Sequence, residues 1–106
     1  MDVLASLEPR RVFHFFEELT KIPHGSRHTK AVSNWLADFG RQRELEVHQD
    51  ALDNVILVGP ASPGYEQAAP VIFQGHMDMV CEKAPDCTKD MEKEGLDLEV
   101  SGDEIT

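Results

Sequence analysis

The hydrophobic pattern changes its period partway along the chain, and this change constrains the fold more than any other feature of the sequence. Over residues 9–20 and 27–43, apolar side chains recur three and four positions apart, which is the spacing of one helix face. From residue 45 onward, apolar residues alternate with polar ones or form short β-branched runs, which is typical of strands. We therefore predict an α/β fold with two helices followed by a sheet, in the order α-α-β-β-β.

Proline and turn residues set the limits of these elements. Pro9 suits a first helical turn, and Ile22-Pro23 ends the helix because the residue before proline is pushed out of the helical region. Ser26 is predicted to cap the second helix. The predicted strands cover residues 45–49, 54–58 and 70–75. We expect the helices to pack on the sheet through large apolar side chains, namely Phe13, Phe16, Val32, Trp35 and Phe39.

The charge balance excludes two classes of partner. The chain carries 10 Lys and Arg against 20 Asp and Glu, a net charge of −10. This balance argues against a nucleic-acid binder and against a polybasic membrane anchor, since both need clustered positive charge. No apolar run approaches the roughly 20 residues that a spanning helix requires. The N-terminus lacks a secretory signal pattern and two cysteines do not make a disulfide scaffold, so we predict a cytoplasmic protein.

The last twenty residues differ from the rest in composition and in pattern. Acidic residues dominate residues 86–104, and Ser101-Gly102-Asp103 is predicted to be a hairpin turn. Only three residues follow that turn, so we interpret residues 1–106 as a single incomplete domain, the N-terminal part of a longer protein. A sheet without its neighbouring strands would expose apolar edges, and we therefore predict that the chain self-associates.

Gly75-His76-Met77-Asp78 follows the third predicted strand and is the strongest candidate for chemistry. Side chains two positions apart in an extended chain point to the same face, so His76 and Asp78 should emerge together. A metal-bound imidazole usually donates its other ring N–H to a carboxylate or a carbonyl. Ligands of α/β sheets also bind at the carboxyl ends of strands. On the residues alone, the His-x-Asp pattern is short, and a solvated strand end with a polar turn explains it better than a metal site does.

The remaining candidates are weaker. His24 and His28 are four residues apart, but the intervening Gly-Ser breaks the helix that would bring them onto one face. His48 alternates with Val47 in the predicted strand and is expected to face solvent. Cys81 has no visible base beside it and is expected to be a small buried residue rather than a nucleophile.

The run from Val71 to Lys83, which reads VIFQGHMDMVCEK, resembles the first metal-ligand motif of the cytosolic aminoacyl-histidine dipeptidases, a family of co-catalytic zinc exopeptidases. The resemblance extends over nearly all of the chain. Further matches, in the family's order, are Leu7-Glu8-Pro9, Ile22-Pro23-His24-Gly25-Ser26, Gln49-Asp50, Asp53-Asn54-Val55-Ile56-Leu57 and Thr88-Lys89-Asp90. Gly25 departs from the pattern, because a second proline is common at this place.

The resemblance implies a role for each residue of the motif. His76 matches the first histidine ligand of a two-zinc site, and Asp78 matches the catalytic aspartate that orients this histidine. It further implies a zinc-exopeptidase catalytic domain, a dipeptide substrate of the Xaa-His type with broad specificity, and a homodimer for the whole protein. The general base and the other ligands of that family fall after residue 106, so we expect the 106-residue chain alone to be inactive.

Other functions stay open on the sequence. Another peptidase of the same zinc superfamily, such as a tripeptidase, or an N-acyl amino-acid deacylase would keep His76 and Asp78 in the same roles. A different class is a non-catalytic interaction module that binds a basic partner through residues 86–104. A thiol enzyme that uses Cys81 has little support.

Overall fold

The computed structural model describes residues 2–106. Two helices come first and short antiparallel strands follow, which confirms the predicted α/β class. The elements are α1 (Arg10–Thr20), α2 (Lys30–Gln42), β1 (Glu46–Gln49), β2 (Val55–Val58), β3 (Val100–Ser101) and β4 (Glu104–Ile105). β1 pairs with β2 and β3 pairs with β4, so the described residues contain two separate two-stranded sheets.

Helix α2 packs on the β1–β2 hairpin, and this contact forms the centre of the molecule. Gly40 permits the close approach, since a Cβ at this position would lie 2.5 Å from Leu57 Cδ2 and 2.8 Å from Val47 Cγ2. Leu57 and Val47 are cross-strand partners in the hairpin. On the same helix, Val32 and Ala37 are buried.

Helix α1 contacts α2 through aromatic rings. The rings of Phe15 and Phe39 meet edge to face with centroids 5.4 Å apart, and the Arg43 guanidinium lies 3.5 Å from the Phe39 centroid. Phe16 was predicted to belong to the core, but it is 46% exposed. In this part of the chain the two-stranded β1–β2 sheet packs on α2, so it does not provide the cover that was predicted for Phe16.

The acidic C-terminal segment is attached to the end of α1. The Leu96 amide donates to the Thr20 carbonyl at 2.8 Å. Within the segment itself, the Lys89 ammonium lies 2.8 Å from the Asp97 carboxylate. The predicted turn at Gly102 is confirmed, because it joins β3 to β4.

Two of the predicted local features are wrong. Residues 70–75 form no strand, because no other strand among the described residues lies beside them to accept or donate ladder hydrogen bonds. Ser26 does not cap α2, which begins later, at Lys30, with Thr29 at the N-cap position. Arg27 has a φ of 71°, which is a left-handed backbone conformation and is incompatible with a right-handed α-helix. The helix can therefore begin only after this residue.

Candidate metal-ligand site

The loop after α1 and the extended segment before Val80 lie side by side and form the candidate site. Gly25 and Met79 form an isolated parallel bridge. The Ser26 amide donates to the Met79 carbonyl at 3.1 Å, and the Met79 amide donates to the His24 carbonyl at 3.0 Å. These main-chain bonds hold residues more than fifty positions apart in the sequence in a fixed register.

His76 and Asp78 contact each other, as the sequence predicts. His76 Nδ1 lies 2.8 Å from the Asp78 carbonyl oxygen and 3.2 Å from Asp78 Oδ1. Both oxygens can only accept, so the proton of the neutral imidazole belongs on Nδ1. The lone pair of Nε2 is then available, and the His76 side chain is 83% exposed. This is the tautomer in which a histidine can bind a metal through Nε2.

The other carboxylate oxygen of Asp78 is bound by a residue that the sequence assigned elsewhere. Ser26 Oγ donates to Asp78 Oδ2 at 2.6 Å. This hydrogen bond is the main reason why the pKa of Asp78 lies below its ordinary value, with smaller contributions from its own backbone amide and from His76. Asp78 is therefore ionised at neutral pH, the form in which it accepts from both neighbours. The only sequence signal for Ser26 was its place in the Pro-His-Gly-Ser loop.

The other sequence candidates lie outside this constellation. His24 Nδ1 contacts the Ile22 carbonyl oxygen at 2.6 Å, and His28 lies 3.4 Å from Glu92. His48 is exposed, as predicted. Cys81 is exposed rather than buried. Its Sγ occupies the space that a Cβ on Gly25 would fill, which explains why glycine stands at this position.

The described residues do not form a complete metal centre by themselves. Among residues 2–106, no group of three or more His, Cys, Asp or Glu side chains is placed to hold an ion. A catalytic zinc ordinarily takes three protein ligands and a water. The exposed Nε2 of His76 and the Asp78 carboxylate beside its ring fit the role of a single ligand with its supporting partner, and no second ligand lies beside them among residues 2–106.

Comparison with known proteins identifies the class of protein that this chain resembles. The homologues of this chain are dipeptidases, which are hydrolases, and the resemblance seen in the sequence is confirmed. One curated relative is the cytosol non-specific dipeptidase of Escherichia coli (strain K12), 28% identical over 103 residues. Among solved structures, the crystal structure of aminoacylhistidine dipeptidase from Vibrio alginolyticus matches with a TM-score of 0.91 and 29% sequence identity.

The matches cover a much larger share of this chain than of its relatives. Each match covers 97% of this chain but only 21% of the relative, so the chain spans about a fifth of the length of the proteins it resembles. No protein-family model matches the chain. Within the described residues, no helix has both the length and the apolar character needed to cross a membrane.

Proposed function

We propose that this chain forms the N-terminal part of the catalytic domain of a zinc-dependent dipeptidase of the aminoacyl-histidine type, with His76 as a metal ligand and Asp78 as its catalytic partner. One observation carries the proposal. Over 97% of its length the chain matches a part of the solved aminoacylhistidine dipeptidase structure, with a TM-score of 0.91, and His76 Nδ1 lies 3.2 Å from Asp78 Oδ1 within that part.

The roles of the two residues follow from their contacts. Asp78 accepts the Nδ1 proton of His76, which fixes the ring and leaves Nε2 free to bind one of two zinc ions. The negative charge of Asp78 also makes the imidazole a better electron donor toward the metal. Zinc supplies, when bound, a water of lowered pKa and a polarised scissile carbonyl. The residues of this chain hold and orient that centre on one side.

The rest of the site belongs to residues outside this sequence. One histidine cannot hold a catalytic zinc, so the 106 residues alone should have no peptidase activity. We further propose that the whole protein is cytoplasmic and homodimeric and takes dipeptides of broad sequence, Xaa-His among them. Neither nucleic acid nor membrane is a proposed partner.

The test compares the isolated chain with the longer natural protein that contains it. We expect the longer protein to hydrolyse Xaa-His dipeptides, to lose this activity to a chelator and to regain it with added zinc. His76→Ala should abolish hydrolysis and lower the zinc content measured by elemental analysis. His48→Ala is the matched control, because His48 is an exposed histidine on β1 outside the site, and it should keep full activity.

Three outcomes would contradict the proposal. Dipeptide hydrolysis by the 106-residue chain that survives chelation would remove the need for the missing ligands. Full activity of the His76→Ala variant would remove His76 from the site. Hydrolysis of tripeptides or N-acyl amino acids in place of dipeptides would keep the metal site and change the substrate class.

A further inference from the structure

Ser26 contacts the candidate site through its hydroxyl, which donates to the Asp78 carboxylate. Its hydroxyl does not cap α2, since Thr29 is the N-cap residue. The hydroxyl donates instead to Asp78 Oδ2 at 2.6 Å, across 52 positions of the sequence. The hydroxyl makes no other hydrogen bond among residues 2–106, so its placement serves Asp78 alone.

The position of Ser26 is fixed by the main chain and not by its own side chain. The Ser26 amide donates to the Met79 carbonyl, and Gly25 pairs with Met79 in the parallel bridge. Met79 directly follows Asp78. The backbone at Gly25 and Ser26 is therefore held in register with the backbone at Met79, and this register places the Ser26 hydroxyl beside the Asp78 carboxylate.

The two carboxylate oxygens of Asp78 have different hydrogen-bond partners. Oδ2 accepts from Ser26, while Oδ1 lies 3.2 Å from His76 Nδ1. The Asp78 side chain is 41% exposed, so packing alone does not hold its rotation. Without the hydroxyl, the carboxylate can turn toward solvent, and His76 Nδ1 keeps only the Asp78 carbonyl as an acceptor.

We propose that Ser26 is a positioning residue for His76: its hydroxyl fixes the Asp78 carboxylate, and the carboxylate holds His76 in the tautomer that presents Nε2 to a metal ion. The inference deepens the proposed function and rests on it for the metal. The relay Ser26–Asp78–His76 itself is a property of these residues and exists without metal.

The experiment reads the tautomer directly in the 106-residue chain, without metal. Labelling with ¹⁵N-histidine limits the spectrum to five imidazoles, and the His76 signals are assigned by their loss in His76→Ala. At about pH 8, where an ordinary imidazole is neutral, the wild-type chain should show the Nδ1–H pattern for His76. Ser26→Val should raise the proportion of the Nε2–H tautomer about fivefold, the effect of one lost hydrogen bond.

The matched variant is Ser26→Thr, which has the shape of valine and keeps the hydroxyl. It should retain the wild-type tautomer. Ser26→Ala is a second variant without the hydroxyl, and since Ser26 is exposed, neither it nor Ser26→Val should disturb the fold. Ser62→Ala, a serine in the exposed loop after β2, should leave His76 unchanged.

The outcomes separate this inference from the function on which it rests. A wild-type tautomer ratio in Ser26→Val or Ser26→Ala overturns the positioning role, whatever the peptidase assays give. A shift that also occurs in Ser26→Thr overturns it as well, because the hydroxyl would then not be the cause. A shift confined to the variants without the hydroxyl supports the relay, even where the longer protein fails to hydrolyse dipeptides.

Discussion

At the scale of single residues, Glu17 is the charged side chain most deeply buried in the described structure, with 5% of its surface exposed. Its carboxylate accepts the main-chain amides of Val3 at 2.5 Å and Leu4 at 3.1 Å. A buried carboxylate is tolerated when donors satisfy its oxygens, and here both donors come from the segment before α1. The hydrogen bonds to Glu17 therefore attach the segment before α1 to the helix, and they keep the buried Leu4 in position.

We predict that Glu17→Gln destabilises the chain by about 1.5–3 kcal/mol, the range for a hydrogen bond to a charged acceptor. The amide is isosteric, but its nitrogen cannot accept the second N–H. The measurements are urea unfolding and amide hydrogen exchange, in which the Val3 and Leu4 amides should lose protection first. Glu18→Gln is the control, since Glu18 makes only a surface pair with Lys21. Equal protection in the two variants would contradict the assignment.

The difference between what the sequence predicted and what it missed is clear at this scale. His76 and Asp78 were predicted to meet because they are two positions apart in an extended chain, a local relation. Ser26 was assigned to a helix cap because its partner lies 52 positions away, and no local pattern reports such a contact. Glu17 was missed for the same reason, because its partners precede the helix and bind through backbone amides.

At the scale of elements, the turn of the β1–β2 hairpin depends on one carboxylate. Asp50 Oδ1 accepts the amides of Leu52 and Asn54, and Oδ2 accepts Asn54 Nδ2, each at 2.9 Å. The side chain of Asn54 is the largest cause of a lowered pKa for Asp50, followed by its backbone amide. The ionised form therefore ties the end of β1 to the start of β2.

The lowered pKa of Asp50 makes the hairpin sensitive to acid. A carboxyl whose pKa is lower in the folded state stabilises the fold fully above its ordinary pKa of about 3.9, and this contribution is lost as the pH falls through the folded value. We predict that Asn54→Ala raises the pKa of Asp50 and makes the loss of stability below about pH 4 shallower. Carboxyl titration by NMR measures the pKa, and acid unfolding measures the stability.

Asn34→Ala is the control for this prediction. Asn34 Oδ1 also binds near the end of β1, where it accepts from Gln49 Nε2 at 3.0 Å, but it makes no hydrogen bond to Asp50. The pKa of Asp50 should be unchanged in this variant. An unchanged pKa in Asn54→Ala as well would show that the backbone amides alone lower it.

Elements differ in how far the sequence predicts them, for a physical reason. Both helices were predicted within three residues of their bounds, because a helix makes its hydrogen bonds within one segment. Strands β1 and β2 were predicted near 45–49 and 54–58 from their alternating and β-branched patterns, which are local. Residues 70–75 have the composition of a buried strand, yet a strand needs a partner, and none lies beside this segment among the described residues.

At the scale of the whole molecule, the chain is more open than its length requires. Its radius of gyration is 16.5 Å, whereas a compact domain of this size has about 13 Å. Its accessible surface of 8622 Å² exceeds the roughly 5,900 Å² of a folded monomer of this mass. Only Leu4, Val32 and Ala37 are buried apolar residues in the described part. A chain with this surface leaves much of its apolar area for another surface to cover.

We expect the segment around Phe73 to be the apolar surface that a second copy of the chain covers. Val71, Ile72 and Phe73 are 77%, 88% and 95% exposed, and no main-chain hydrogen bond reaches them within residues 2–106. An unpaired, apolar, extended segment is a template for strand pairing with another copy. We therefore predict that the 106-residue chain self-associates and that light scattering gives a mass above 11.9 kDa, which rises with protein concentration.

Phe73→Lys should lower that mass toward the monomer, because a lysine on an open strand edge disfavours pairing. Leu52→Lys is the matched control: Leu52 is 82% exposed but lies in the β1–β2 turn, so the same change of charge should leave self-association intact. A wild-type chain that stays at 11.9 kDa at every concentration would show that the segment finds no partner in a second copy. An equal loss of mass in both variants would attribute the effect to charge and not to the strand. A loss confined to Phe73→Lys would identify residues 71–73 as the surface that another strand covers.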